Sequence, residues 1–288
     1  MSHLLESWFP GLDGNMAAYW AVIYTFLVLR YVLFAGAAYG IFYVWRKRAW
    51  FYRKIQQKYP EQKRVLYELK YSFSSLAIFA SLAVFIKYAT EGGYTKIYSD
   101  FSEHSWLYFL FTVVVFIFIH DMYFYWTHRA MHHPLLFKHV HKVHHMSNNP
   151  TPWAAFSFHP LEALVEFGII PIMVFLMPLH PAAIAIFALY MVSLNVIGHL
   201  GFEIFPRGFT QHKIFGLHNT STHHNMHHKL VNCNYSLYFN IWDKLMGTNH
   251  AKYHSTFEEV AARKDTVPVS SNEYQVASTS YEMQQVTD

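Results

Sequence analysis

Three histidine clusters, His128-Arg-Ala-Met-His132, His141-Lys-Val-His144-His145 and His224-Asn-Met-His227-His228, carry the chemistry available to this sequence. A neutral imidazole lone pair is a good ligand for first-row transition metals. On a helix, residues three or four apart share a face, so each cluster can aim two or three nitrogens at one point. Of the 21 histidines, 17 fall between His120 and His228, which is too concentrated for scatter. A tetrahedral metal takes four ligands and an octahedral one six. Eight converging imidazoles therefore point to two metals, held by His128, His132, His141, His144, His145, His224, His227 and His228.

The elements that must position them are apolar. The chain has 288 residues, of which 53% are hydrophobic and 14% charged, against roughly 25% charged in soluble domains. Much of its surface must face lipid. Cys233 is the one cysteine, which excludes a disulfide framework and thiolate metal sites. The net charge of +4 is modest, and its basic residues sit beside apolar runs, which suits lipid headgroups rather than nucleic acid.

The pattern predicts an all-α integral membrane protein with about four to five apolar spans and a helical cap on the cytoplasmic face that carries the histidine clusters. The first run, 16–44, exceeds the roughly 20 residues that cross a bilayer. It reads as a retained anchor rather than a cleaved signal peptide, since 1–14 carries no Lys or Arg. Arg46, Lys47, Arg48, Arg53, Lys54 and Lys58 follow it, and the positive-inside bias places them in the cytoplasm. Runs at 69–88 and 106–126 then cross and return, delivering His128 to the same face. Runs at 161–177 and 181–196, split by Pro178-Leu-His-Pro181, form a transmembrane or re-entrant hairpin. Three regions result: anchor helices and loops over 1–105, a histidine-rich catalytic region with a membrane hairpin over 106–254, and a flexible tail over 255–288, polar and aperiodic from about Thr266.

Further residues qualify by position. If the third helix runs to Pro134, then Asp121, Tyr125, His128 and His132 lie on one stripe, and Asp121 can orient a liganding imidazole. Tyr125 can also line a substrate channel. His199 closes the fifth run at the depth of the clusters and is a ninth ligand, with Glu203 four residues on beside the metal or behind it. His159, before Pro160, opens a helix and has a structural or supporting role. His223 breaks the shared spacing and is placed outside the ligand set.

The order of these motifs resembles the fatty acid hydroxylase/sterol desaturase superfamily. The matching residues are Asp121-Met-Tyr-Phe-Tyr125-Trp126-Thr-His128-Arg129, the three clusters, His159-Pro160-Leu161-Glu162 and Trp242-Asp243-Lys-Leu-Met-Gly247-Thr248. The resemblance implies a membrane-embedded di-iron centre that uses O2 to hydroxylate or desaturate a C–H bond of a sterol, fatty acyl or sphingoid lipid. It implies the eight box histidines, with His199, as iron ligands, and adds Glu162 and Asp243 as supporting residues. Electrons are expected from a separate protein of cytochrome b5 or ferredoxin type. The host membrane is expected to be the endoplasmic reticulum in a eukaryote and the inner membrane in a bacterium. The alternative weighed against it is a membrane zinc hydrolase acting on a lipid ester or amide.

Overall fold

The computed structural model describes residues 15–264. The 1–14 segment and the polar tail from Thr266 lie outside the described residues. Four helices are long and apolar enough to cross a membrane: α1 (Met16–Trp45), α2 (Gln62–Glu91), α3 (Trp106–Met131) and the helix Pro181–Gly198. Among the described residues the rest is shorter helix, turn and three isolated β-bridges, with no strand. Only 17% to 39% of each apolar window is buried within the protein, which leaves exposed apolar surface suited to lipid. Phe26, Leu33, Leu107 and Phe118 are among the exposed large side chains.

Proline and glycine set the boundaries between elements. Helix α3 ends at Met131, and Pro134 opens α4 (Pro134–Val140) at a position where its missing N–H costs nothing. A single turn, α5 (Lys142–His145), follows with His141 at the junction. The fourth apolar run is two eight-residue helices, α6 (Pro160–Phe167) and α7 (Ile169–Leu176), interrupted at Gly168. There the Tyr123 hydroxyl donates to the Val165 carbonyl at 2.7 Å, in space that a side chain at residue 168 would need. The fifth run is α8 (Pro181–Gly198).

Between α7 and α8 the hairpin tip meets the linker that joins α2 to α3. Lys96 N–H donates to Val174 O at 2.8 Å, and Tyr98 N–H to Leu179 O at 3.2 Å. The tip thus lies at the end of the bundle opposite His128. Phe116 of α3 stacks on Phe187 of α8 at 3.9 Å, within a core that includes Ile86, Ile169 and Met173. A second core joins α1, α2 and α8 through Tyr31, Leu76, Phe79, Phe156 and Val192.

The histidine end is capped by α9 (Ser221–Leu230), α10 (Ile241–Leu245) and α11 (Tyr253–Ala262). Residues 255–262, assigned to the tail from sequence, belong to α11, which buries Tyr253, Phe257 and Ala261 against Met226 of α9. The basic 46–58 segment packs at this end as well. Lys54 is fully buried, its Nζ 3.2 Å from both Asn149 Oδ1 and Gly201 O. Gly201 has φ +72°, and a Cβ there would lie 2.6 Å from the Tyr43 hydroxyl and 2.9 Å from Lys54 Nζ. Gly201→Ala is therefore expected to cost about 1–3 kcal/mol, read as a lower melting temperature in detergent. An unchanged melting temperature would show that these neighbours give way freely.

Candidate metal centre

Nine imidazoles converge in two groups. His128, His132, His141, His145 and His227 form one, and His144, His199, His224 and His228 the other, with the facing nitrogens of each group within 4.8 Å of one another. The boxes do not each serve one point. In 141–145 and in 224–228, the pair four residues apart goes to one group and the histidine between them to the other. The two groups share a wall, with the rings of His145 and His228 5.0 Å apart.

Hydrogen bonds on the outer nitrogens decide which lone pairs are free. The Nδ1–H of His128 donates to Tyr235 O at 2.7 Å, that of His227 to Cys233 O at 2.7 Å, and that of His199 to Asn195 O at 2.8 Å. His144 Nδ1 lies 3.3 Å from Ser157 O, and His141 Nδ1 2.7 Å from the Glu162 carboxylate. With the proton fixed on Nδ1, Nε2 is bare. Bare nitrogens nonetheless face each other, at 3.0 Å between His128 and His141 and 3.3 Å between His144 and His199. Neither partner can supply a proton, so no hydrogen bond explains the approach. A cation between them would.

The spacing bears on coordination. Nitrogens about 2.1 Å from one metal are about 3.0 Å apart at a right angle and about 3.4 Å apart at the tetrahedral angle. The five-histidine group shows 3.0, 3.1, 3.1 and 3.2 Å, and the four-histidine group 3.0, 3.1, 3.1 and 3.3 Å. These nearest pairs stand at separations that two ligands of one metal adopt, and the five-nitrogen group exceeds the four ligands of a tetrahedral site.

The acids expected behind the ligands divide by what they touch. Glu162 meets His141 directly. Asp121, expected to orient an imidazole, instead accepts from the backbone N–H groups of Tyr238 and Phe239 at 2.9 and 3.2 Å. Asp243 accepts from Tyr235 N–H and Ser236 N–H, both at 2.8 Å, and from the Thr248 hydroxyl at 2.7 Å. His223 Nε2 lies 3.4 Å from the same carboxylate, off the metal groups. Burial opposes the Asp243 charge, yet His223 and these donors hold its carboxyl well below the usual range. Glu203 accepts from Thr222 N–H at 3.0 Å and from Phe205 N–H at 3.0 Å, fixing the start of α9 rather than a ligand. Tyr125 lies 3.0 Å from the Thr248 hydroxyl and receives Arg129 at 3.1 Å.

Several other histidines are caps. His159 accepts from Leu161 N–H, His133 from Leu135 N–H, His180 from Ala182 N–H and His212 from Ile214 N–H, the use that small polar acceptors find at helix and turn starts. His120 is buried against Phe187 and Tyr238, away from both groups. Sequence reasoning missed the carbonyls of Tyr235, Cys233, Ser157 and Asn195. Every residue has a carbonyl, so no side-chain signal announces one that sets a tautomer.

Residues 113–248 match the family described as fatty acid hydroxylase. Over 189 residues, 64% of the chain, the sequence is 32% identical to lathosterol oxidase of Rattus norvegicus. It is 29% identical to a Delta(7)-sterol 5(6)-desaturase of Gibberella zeae over 62% of the chain, and 31% identical to that of Leptosphaeria maculans over 80%. The alignments cover 61%, 54% and 61% of those relatives' own lengths. No solved structure matches the chain.

Two outcomes test this geometry. Glu162→Ala frees His141 to rotate and is expected to weaken metal binding about 10- to 100-fold, measured as metal retained against a chelator. Unchanged retention would remove Glu162 from the site. Burial and then neighbouring rings pull His132 and His145 below the ordinary histidine range, and burial pulls His199 to about 4. In metal-free protein the unfolded chain then takes up more protons below about pH 6.5. Stability present above that pH is lost as pH falls, so the metal-free melting temperature should drop between pH 7 and 5, and a flat profile would contradict it.

Proposed function

We propose that this chain, whose residues 113–248 match the fatty acid hydroxylase family, is an O2-dependent membrane oxidoreductase of that family with two irons, acting on a C–H bond of a sterol-like lipid. The observation that carries the reading is the pair of imidazole groups with bare nitrogens 3.0 to 3.3 Å apart. In the proposal His128, His132, His141, His145 and His227 hold one iron, and His144, His199, His224 and His228 the other. The irons supply O2 activation and hydrogen abstraction from an unactivated carbon, which amino-acid side chains cannot perform. The names of the relatives favour desaturation of a sterol that already carries a C7 double bond. That reaction removes two hydrogens from the lipid and, with two electrons and two protons from outside, reduces O2 to two waters.

The chain's own residues orient, exclude and seal. Carbonyls of Tyr235, Cys233 and Asn195 keep three imidazoles in the liganding tautomer. The rings of Phe124, Phe137 and Phe158 lie 4.9, 5.5 and 5.3 Å from His128, His145 and His144, forming an apolar wall that shuts out water and suits a lipid. The basic 46–58 segment packs at this same end through Gln56, which bonds Asn148 O and Asn225. By the positive-inside bias that end is cytoplasmic, where a separate donor of cytochrome b5 or ferredoxin type delivers electrons. The zinc hydrolase is disfavoured because its metal keeps only three protein ligands and an open position.

The test is metal analysis of the purified chain, followed by O2 uptake with reductant and a sterol bearing an isolated C7 double bond. Two irons per chain, sterol-dependent uptake and a new conjugated-diene absorbance are expected. Zinc alone, with no uptake under any donor, would sink the reading. His144→Ala and His227→Ala each remove a nitrogen from a different group, so turnover and bound iron should both fall sharply. The exposed His139→Ala should leave both near wild type.

A further inference from the structure

Away from the histidine groups, the surface holds a cavity of about 410 Å³ between the turns Phe209–Gln211 and Phe215–Leu217, α10 and α11. Its lining includes Lys213, Lys244, His212, His254, Thr210 and Gln211, and no carboxylate. Gly216 closes the floor, since a Cβ there would lie 2.5 Å from Thr210 O. The Gly216 carbonyl accepts from Asn240 Nδ2 at 2.9 Å and Lys244 Nζ at 3.4 Å, which holds Lys244 over the opening. Glu258 of α11 is already engaged by Gly208 N–H at 2.8 Å and Arg207 at 3.6 Å. Among the described residues neither Lys213 nor Lys244 forms an ion pair, so an anion can take both.

Ring contacts place the cavity relative to the lipid. Phe239 stacks on Phe118, midway along α3, at 5.3 Å, and bridges to His218. Trp242 of α10 lies 6.2 Å from Trp126, about two turns further along α3. Phe239 and Trp242 therefore lie against the face of α3 on which Phe118 and Trp126 are exposed. Ile214, Phe215 and Leu245 are exposed at 68%, 55% and 66%, next in sequence to Lys213 and Lys244, and Phe215 stacks on His212 of the cavity lining at 4.6 Å. Cations beside exposed apolar side chains is the composition that interfacial segments use toward headgroup and acyl chain.

We infer that this cavity holds the phosphate of an anionic phospholipid, with Lys213 and Lys244 on the phosphate and Ile214, Phe215 and Leu245 among its acyl chains. An acidic protein partner would be served by the same cations. It would gain nothing from exposed Ile214, Phe215 and Leu245 on a segment anchored to a membrane-spanning helix, so the membrane lipid is the better occupant.

The test uses the full chain in detergent, mixed with phosphatidic acid or phosphatidylcholine of matched acyl chains, with retained lipid read by native mass spectrometry. Phosphatidic acid should be retained roughly tenfold better. The double variant Lys213→Gln/Lys244→Gln should lose that preference, and Lys213→Arg/Lys244→Arg should keep it. Bound metal, unchanged in both variants, reports that they fold. Equal retention of the two lipids, or a preference that survives the Gln variant, would overturn the inference. So would inorganic phosphate raising the melting temperature as much as the lipid does, which would mark a simple anion site. A Gln variant that keeps its lipid but is reduced more slowly by an electron-donor protein would also overturn it and assign the surface to that protein.

Discussion

Everything at the membrane-surface end of this protein depends on one electrostatic constraint: nine imidazoles are packed with their nitrogens facing inward in two groups. A buried polar atom without a partner costs on the order of 1–3 kcal/mol. Lone pairs directed at each other add repulsion to that cost, and a cation at the centre of each group removes it. Binding free energy of such a cation then becomes folding free energy. Much of the fold at this end keeps these nitrogens in place for the proposed metals.

Buried carboxylates make up much of that apparatus, and most act at one remove. Asp121 reaches from the middle of α3 to backbone N–H groups of Tyr238 and Phe239. Asp243 takes Tyr235 N–H and Ser236 N–H. Between them they fix the segment whose Tyr235 carbonyl sets the His128 tautomer. Glu203 does the same for the start of α9, which carries His224, His227 and His228. Hydrogen bonds to charged groups contribute about 1.5–3 kcal/mol each, and each acid here spends them on backbone. Among the described carboxylates only Glu162 bonds a ring of the two imidazole groups. A positioning role carried through a loop is as exacting as a direct one, because displacing the carbonyl displaces the imidazole.

The bilayer imposes the second constraint. Helices α1, α2, α3 and α8 satisfy their own backbone groups, as lipid demands. The one apolar run that breaks in the middle, α6 and α7, does so at Gly168, where Tyr123 takes up the Val165 carbonyl. Irregular backbone survives at that depth because protein surrounds it. The hairpin it forms with α8 returns the chain to the end it left, which lets His199 meet His224 at 3.0 Å across 25 residues of sequence.

The apolar spans and the eight box histidines could be read from the sequence, with His199 as a candidate ninth, because hydrophobic length and residue type are local properties. His199 was legible from its place at the close of a span, and Glu162 from its motif. How the nine divide was decided by the tertiary structure. Helical spacing puts His141, His144 and His145 on one face, but the break at His141 and the approach of α8 and α9 send His144 to the other group. Tertiary structure likewise gave Asp121 and Glu203 to backbone N–H groups, and gave the tautomers to the carbonyls of Tyr235, Cys233 and Asn195. The physical reason is the same in each case: hydrogen-bond partners distant in sequence are chosen by packing, and a one-dimensional pattern carries no record of what packing brings within 3 Å.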